Sequence, residues 1–230
     1  MTQTNNRGIN TVFSYQAFDE PSNVAFTGIV APEGVTVTIA RNTLGMPLSV
    51  NRAGGGKSAT RSYVYDADLR LCKTIEPETG ARVQDYDLAN NVAWRASGLA
   101  LPSTTCDFAS VPATKKLTFG YDPKNQLTST TFGDASPAIG RTYTADGLVA
   151  TITSNGSVWT NTYNKRRLNE RESLAYAGAT YNIDRLYEAN GSLSRLTYPR
   201  DNLALMYNPN ALGEARQVGA YAREITYLPP

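Results

Sequence analysis

A chain of 230 residues with 41% hydrophobic content is long enough to bury a core and too apolar to be disordered. Its 22 basic and 20 acidic residues leave a net charge of +2, which supplies no general attraction to nucleic acid or anionic lipid. The lack of any histidine removes the commonest general base, the Ser-His-Asp arrangement and nearly all zinc sites. No run of eighteen apolar residues marks a membrane span, and Met1 to Asn10 is polar, without the apolar segment of a secretory signal.

The first sixty residues carry a worn repeat. Val35-Thr36-Val37-Thr38-Ile39 alternates with period two and reads as a strand. The stretch Ile39 to Val50 overlays Tyr207 to Val218 with Asn, Leu, Gly and Val at matched offsets, isoleucine standing where the later copy has tyrosine. Phe18-Asp19 reads as a more divergent copy, and Ala53 to Ala59 as a Gly-rich loop between units. Within it, Gly54-Gly55-Gly56-Lys57-Ser58 matches the end of a phosphate-binding loop, but Asn51 occupies the earlier glycine position and Ala59 to Tyr65 reads as strand rather than helix.

From residue 65 onward a tyrosine returns about every twenty residues. The anchors Tyr65, Tyr86, Tyr121, Tyr143, Tyr163, Tyr187, Tyr207 and Tyr227 are spaced by 21, 35, 22, 20, 24, 20 and 20 residues, obtained by subtracting their numbers. An Asp or Asn follows after one or three positions: Asp66, Asp87, Asp122, Asp146, Asn190 and Asn210. Fixed periods of this size signal stacked units that cannot bury an apolar face alone. An aromatic at one point of each hairpin forms a ladder, and the following Asp or Asn suits an Asx-turn, so these residues read as structural rather than as ligand contacts.

Between the anchors, Leu117 to Tyr121 and Trp159 to Tyr163 alternate as strands. Asp146-Gly147, Asn155-Gly156 and Asn190-Gly191 accept positive φ and predict tight primed hairpin turns. The stretch from Ala96 to Thr114 has no alternation and reads as an inserted surface loop. Cys72 and Cys106 lack metal-ligand spacing. A disulfide between them would contribute about 3 to 4 kcal/mol; two separate, reduced, half-buried thiols are the simpler reading. In Lys165 to Tyr176 the apolar residues are too sparse for a helical stripe. The carboxylate pairs Glu76 with Glu78 and Glu170 with Glu172 read as strand-edge solubility rather than as a glycosidase pair. Lys165-Arg166-Arg167 and Lys115-Lys116 are too short to specify nucleic acid, and the Asn-Gly-Ser triplets at 155 and 190 follow from turns. Residues 1–230 thus form one all-β array of about ten units. Its end, just after the Tyr227 anchor, gives the look of a piece cut from something longer.

Val64-Tyr65-Asp66-Ala67-Asp68-Leu69-Arg70-Leu71 and Gly120-Tyr121-Asp122-Pro123-Lys124-Asn125-Gln126-Leu127-Thr128 resemble the YD repeats of the bacterial Rhs family, with Glu76-Pro77-Glu78-Thr79-Gly80 between two of the units. The resemblance spans nearly the whole chain. It implies tandem β-hairpins in a curved, spiralling antiparallel sheet, one segment of a shell that encloses a carboxyl-terminal toxin in competition between bacteria. On that reading the chain is not an enzyme, takes no cofactor or metal, and acts outside the cell. Its partners are the remainder of the shell and the toxin, with no nucleic acid and no membrane insertion. No toxin segment and no Asp-Pro-rich core-ending motif is present. Unpaired sheet edges predict edge-to-edge association. A second reading is a surface adhesion module whose Trp94 and Trp159 form platforms for carbohydrate, and a third is a degraded or partial gene product.

Overall fold

Thr- and Ser-rich alternation, punctuated by residues that accept positive φ, favours short antiparallel strands over helices. A computed structural model describes residues 1–16, 25–199 and 201–227. Among them are twenty strands and two single-turn 3-10 segments, Phe108–Ser110 and Ala113–Lys115. The all-β fold of tandem hairpins is therefore what the structure shows. Phe18-Asp19 and the last three residues lie outside the described residues.

Contacts divide the chain into two units, Met1–Thr118 with Phe132–Asp134, and Phe119–Thr131 with Ala135–Pro230. In the first, strands β1 (Thr2–Thr4), β2 (Asn10–Tyr15), β3 (Phe26–Val30), β4 (Thr36–Arg41), β5 (Pro47–Gly54), β6 (Lys57–Tyr65), β7 (Leu71–Glu76), β8 (Gly80–Tyr86) and β9 (Val92–Leu99) each pair antiparallel with the next. The start of β10 (Leu117–Tyr121) joins β9, Leu117 opposite Arg95 and Thr118 opposite Trp94. In the second unit the same succession runs through β11 (Leu127–Phe132), β12 (Ile139–Tyr143), β13 (Val149–Ser154), β14 (Ser157–Tyr163), β15 (Asn169–Tyr176), β16 (Ala179–Tyr187), β17 (Leu193–Thr197) and β18 (Ala204–Met206). A short hairpin of β19 (Gln217–Val218) and β20 (Ala222–Arg223) follows.

Two kinds of connection recur among the described strands. Gly55-Gly56, Asn155-Gly156 and Ala177-Gly178 are two-residue turns with positive φ at both positions, whose twist matches that of the strands. At the opposite ends of these strands stand five-residue loops. Asp146-Gly147 and Asn190-Gly191 belong to those loops and are not primed turns, because only the glycine of each has positive φ. Nor is Ala53 to Ala59 a loop: β5 and β6 run into it from both sides and leave only Gly55-Gly56 between them.

A sheet alone leaves most of its apolar side chains half-buried. In the second unit, Ile152, Trp159, Leu174 and Tyr181 face one another across β13 to β16 in one row, with Trp159 37% and Tyr181 49% exposed. Three residues away along each of β14, β15 and β16, and so on the opposite face, Thr162, Arg171 and Asp184 form a polar row. The first unit differs because a segment covers its sheet. β9 extends to Leu99, so the insertion predicted over 96–114 is residues 100–116, and it is a cover rather than a free surface loop. Beneath and within it lie Ala81, Val83, Ala96, Leu99 and Val111, packed with Ile75, Trp94, Leu101 and Phe108.

Candidate functional site

Most of the five-residue loops between described strands are organised by an Asp or Asn in first position. Asp66 Oδ1 accepts the amides of Asp68 and Arg70 at 2.9 and 2.8 Å, and Asp87 Oδ1 those of Ala89 and Asn91. Asp122, Asn164, Asn42 and Asn210 repeat the pattern, each binding the amides two and four residues on. The fourth loop residue has positive φ whether it is glycine, as at Gly45 and Gly213, or not, as at Leu69, Asn90, Asn125 and Arg167. Left-handed backbone costs about 1 kcal/mol at such a side chain, which the loop's own hydrogen bonds offset. Burial pushes the Asp66 carboxyl up, yet the amides and guanidinium of Arg70 outweigh it and hold the group below the usual carboxylate range.

The sequence pattern is only partly the structural one. Asp146 and Asn190 are third in their loops, where Thr144 and Glu188 come first; Thr144 Oγ1 replaces the carboxylate, accepting the Leu148 amide and donating to Asp146. Asn164 and Asn42 act as fully as any aspartate. Both had a sequence signal: Asn164 directly follows the Tyr163 anchor, and Asn42 overlays Asn210 in the match of 39–50 to 207–218.

The tyrosines close the gap between successive loops. The hydroxyls of Tyr65, Tyr86, Tyr143, Tyr163, Tyr187 and Tyr227 donate to the carbonyls of Pro47, Leu71, Leu127, Val149, Asn169 and Ala215 at 2.7 to 2.9 Å. Each acceptor is the residue just after the preceding loop. Tyr121 holds the same place ahead of Asp122, whereas Tyr207 stands three residues before Asn210, the slot beside that loop being filled by Pro209. The strand ladder shifts register at Tyr65, Tyr86, Tyr143, Tyr163 and Tyr187, where the following strand carries one extra residue, so each of these tyrosines stands opposite a β-bulge of its partner strand. Tyr143→Phe removes one such bond without altering the ring. It should cost about 1 kcal/mol and lower the melting temperature by about 2 to 4 °C, read by thermal denaturation.

Neighbouring loops are also stapled side by side, which the sequence did not suggest. Lys124 Nζ donates to Ala145 O, the Arg166 guanidinium to Ala189 O and Glu188 O, and Asn190 Nδ2 to Ala211 O. The donor is third in its loop each time, and the Ala acceptor is second in the next. Such exposed bonds contribute little singly but fix the spacing between repeats.

The densest chemistry lies under the 100–116 segment. Lys73, fully buried, donates from Nζ to Asp107 Oδ2 at 2.5 Å and to Ser103 O at 2.9 Å. Ser103 Oγ and Thr105 Oγ1 also donate to Asp107. Cys72 and Cys106 form a disulfide, which corrects the reading of two separate thiols. Two adjacent residues of β7 thus grip two adjacent residues of the cover. A regular strand would turn 72 and 73 to opposite faces, but the bulge pairs Val64 with Lys73 and Tyr65 with Leu71, leaving Cys72 as the extra residue. Trp94 lies edge-on to Phe108 with the Lys116 ammonium 3.9 Å from its ring, and is not a free platform for sugar; Trp159 keeps an exposed face.

Hydrogen bonds from Lys73, Ser103 and Thr105 hold the Asp107 carboxyl far below the ordinary carboxylate range. A carboxylate depressed in the folded state contributes stability that is complete above its unfolded pKa of about 4 and is lost as pH falls toward the folded value. The protection of the 100–116 segment against hydrogen exchange, relative to the unfolded rate at the same pH, should therefore fall below about pH 4. In Asp107→Asn that acid dependence should be absent.

No family model matches the chain, and no curated protein is similar to it in sequence. Solved structures are similar in fold. A crystal structure of TcdB2-TccC3-TEV is 12% identical with a TM-score of 0.53, the match covering 92% of this chain and 13% of that one. TcdB2-TccC3-Cdc42 is 12% identical with a TM-score of 0.54, over 94% of this chain and 13% of that one. The Tc holotoxin pore of Photorhabdus luminescens is 11% identical with a TM-score of 0.54, over 94% and 13%. The chain spans about one-eighth of the length of these structures, and the likeness is one of fold.

Proposed function

We propose that this chain is a structural, non-enzymatic segment of an Rhs-type β-shell that encloses and carries a carboxyl-terminal toxin in competition between bacteria, acting outside the cell. The repeated loop geometry carries the reading. A tyrosine and an Asx-type residue recur with the same partners in unit after unit, as a wall built by repetition requires. The fold shared with chains of a toxin complex supports it. Across β14 to β16 an apolar row on one face and a polar row on the other suit a wall between an interior and solvent, and partners would be further repeats and the enclosed domain. The test uses the complete polypeptide containing this segment. Its carboxyl-terminal domain should resist protease until the repeats are unfolded, and digestion at the rate of the free domain would rule containment out. Alone, the segment should associate through its edges as concentration rises; a strict monomer by light scattering counts against open edges.

The exposed row of Trp159 and Tyr181 favours a second reading, carbohydrate binding at a cell surface. Glycan-array binding that disappears in Trp159→Ala while the fold survives would select it.

A further inference from the structure

The cover over β7 to β9 is tied down by a bond that reductants break, and we propose that residues 100–116 are a strap which a dithiol reductant releases. Little else about the strap is self-supporting. Its two 3-10 segments have a single turn each, and neither has a side-chain cap. Its backbone bonds at Ser110, Lys115 and Lys116 run to Asp107, Pro112 and Ala113, all within the strap itself. What holds its middle to the sheet is the Cys72–Cys106 disulfide, the Lys73 ammonium on Ser103 and Asp107, and the contacts of Leu101, Phe108 and Val111, while its last residue, Lys116, is anchored separately by the Gly133 amide on its carbonyl and by the Trp94 ring under its ammonium. The ionic hold resists opening less than its short distance suggests, because both charges regain water when the strap lifts.

The two sulfurs are unequal. Cys72 is wholly buried, whereas Cys106 is half-exposed on the strap, so attack is directed to Cys106 Sγ. One thiolate of the dithiol bonds to Cys106 Sγ, the protein S–S bond breaks, and Cys72 leaves as a thiolate that takes up a proton. The second thiolate then displaces Cys106 from the mixed disulfide, giving two protein thiols and the oxidised, cyclic reductant. Cys72 Sγ lies 3.3 Å from Val64 O, which gives the new thiol an acceptor and leaves the reduced sheet satisfied. Loss of this cross-link raises the strap's opening equilibrium by roughly 10²- to 10³-fold, and opening bares the apolar floor of Ala81, Val83 and Ala96.

Hydrogen exchange on the whole chain, with and without dithiothreitol, tests the proposal. Reduction should accelerate exchange at Ser110, whose amide bonds to Asp107 beside the disulfide, by that factor, with a smaller gain at the anchored end near Lys116, and raise the fluorescence of a hydrophobic dye, while β13 to β16 stay protected. Cys106→Ser should behave as the reduced protein under both conditions, and Cys72→Ala supplies the same test from the other side of the bond. Strap exchange that changes by less than about threefold on reduction overturns the proposal. So does equal acceleration in β13 to β16, which would mean general unfolding rather than release of a strap.

Discussion

Lys73→Ala is expected to lower the stability of the folded chain by about 3 kcal/mol, whereas Lys73→Met should cost no more than about 1 kcal/mol. Alanine removes the buried stem together with the charge and leaves the Asp107 carboxylate to the hydroxyls of Ser103 and Thr105. Methionine keeps the stem against the floor of the cover and removes the need to desolvate an ammonium. The converse change, Asp107→Ala, should be worse than Lys73→Met, because it strands a cation with no solvent exposure beside Ser103 alone. Pairing Lys73→Met with Asp107→Leu should recover most of what Asp107→Ala loses, since neither charge then remains to be desolvated. Urea denaturation of the four variants decides the order. If Lys73→Ala and Lys73→Met lose the same amount, the charge rather than the stem is what counts.

Gly133→Ala should cost about 3 kcal/mol, far more than alanine at an ordinary turn glycine. A β-carbon at Gly133 would overlap the carbonyl oxygen of Ala113 and come within 2.9 and 3.0 Å of the carbonyl carbons of Ala113 and Thr114. All three atoms are backbone, and they cannot retreat freely: the Gly133 amide donates to Lys116 O at 2.8 Å, pinning the end of the strap at this spot. Gly178→Ala is the control. Gly178 has left-handed φ with nothing within 4 Å, so alanine there meets only the backbone preference of about 1 kcal/mol. Equal losses at the two sites, measured by thermal denaturation, would mean that the close approach at Gly133 has no energetic weight.

The strands and their hairpin order were legible because period-two alternation is a local property. Leu117 to Tyr121 is a strand with those bounds, and Trp159 to Tyr163 lies within one. The loops were half legible. An Asx side chain that binds amides two and four residues on leaves its trace within a single short phrase, as at Asp66 and Asp122, but a first position filled by Thr144 or Glu188 hides the slot and draws the eye to Asp146 or Asn190 instead. The target of each tyrosine hydroxyl, 12 to 18 residues back, depends on the register of the strand between them and cannot be read from spacing.

By itself, then, the sequence determined an all-β chain of hairpins with an aromatic beat, since alternation and turn chemistry act over a few neighbouring residues. Only the tertiary structure decided that residues 100–116 fold back as a cover and that Cys72 and Lys73 both grip it. The contacts concerned are 30 to 34 residues apart, and a bulge at β7 breaks the rule that adjacent strand residues face opposite ways.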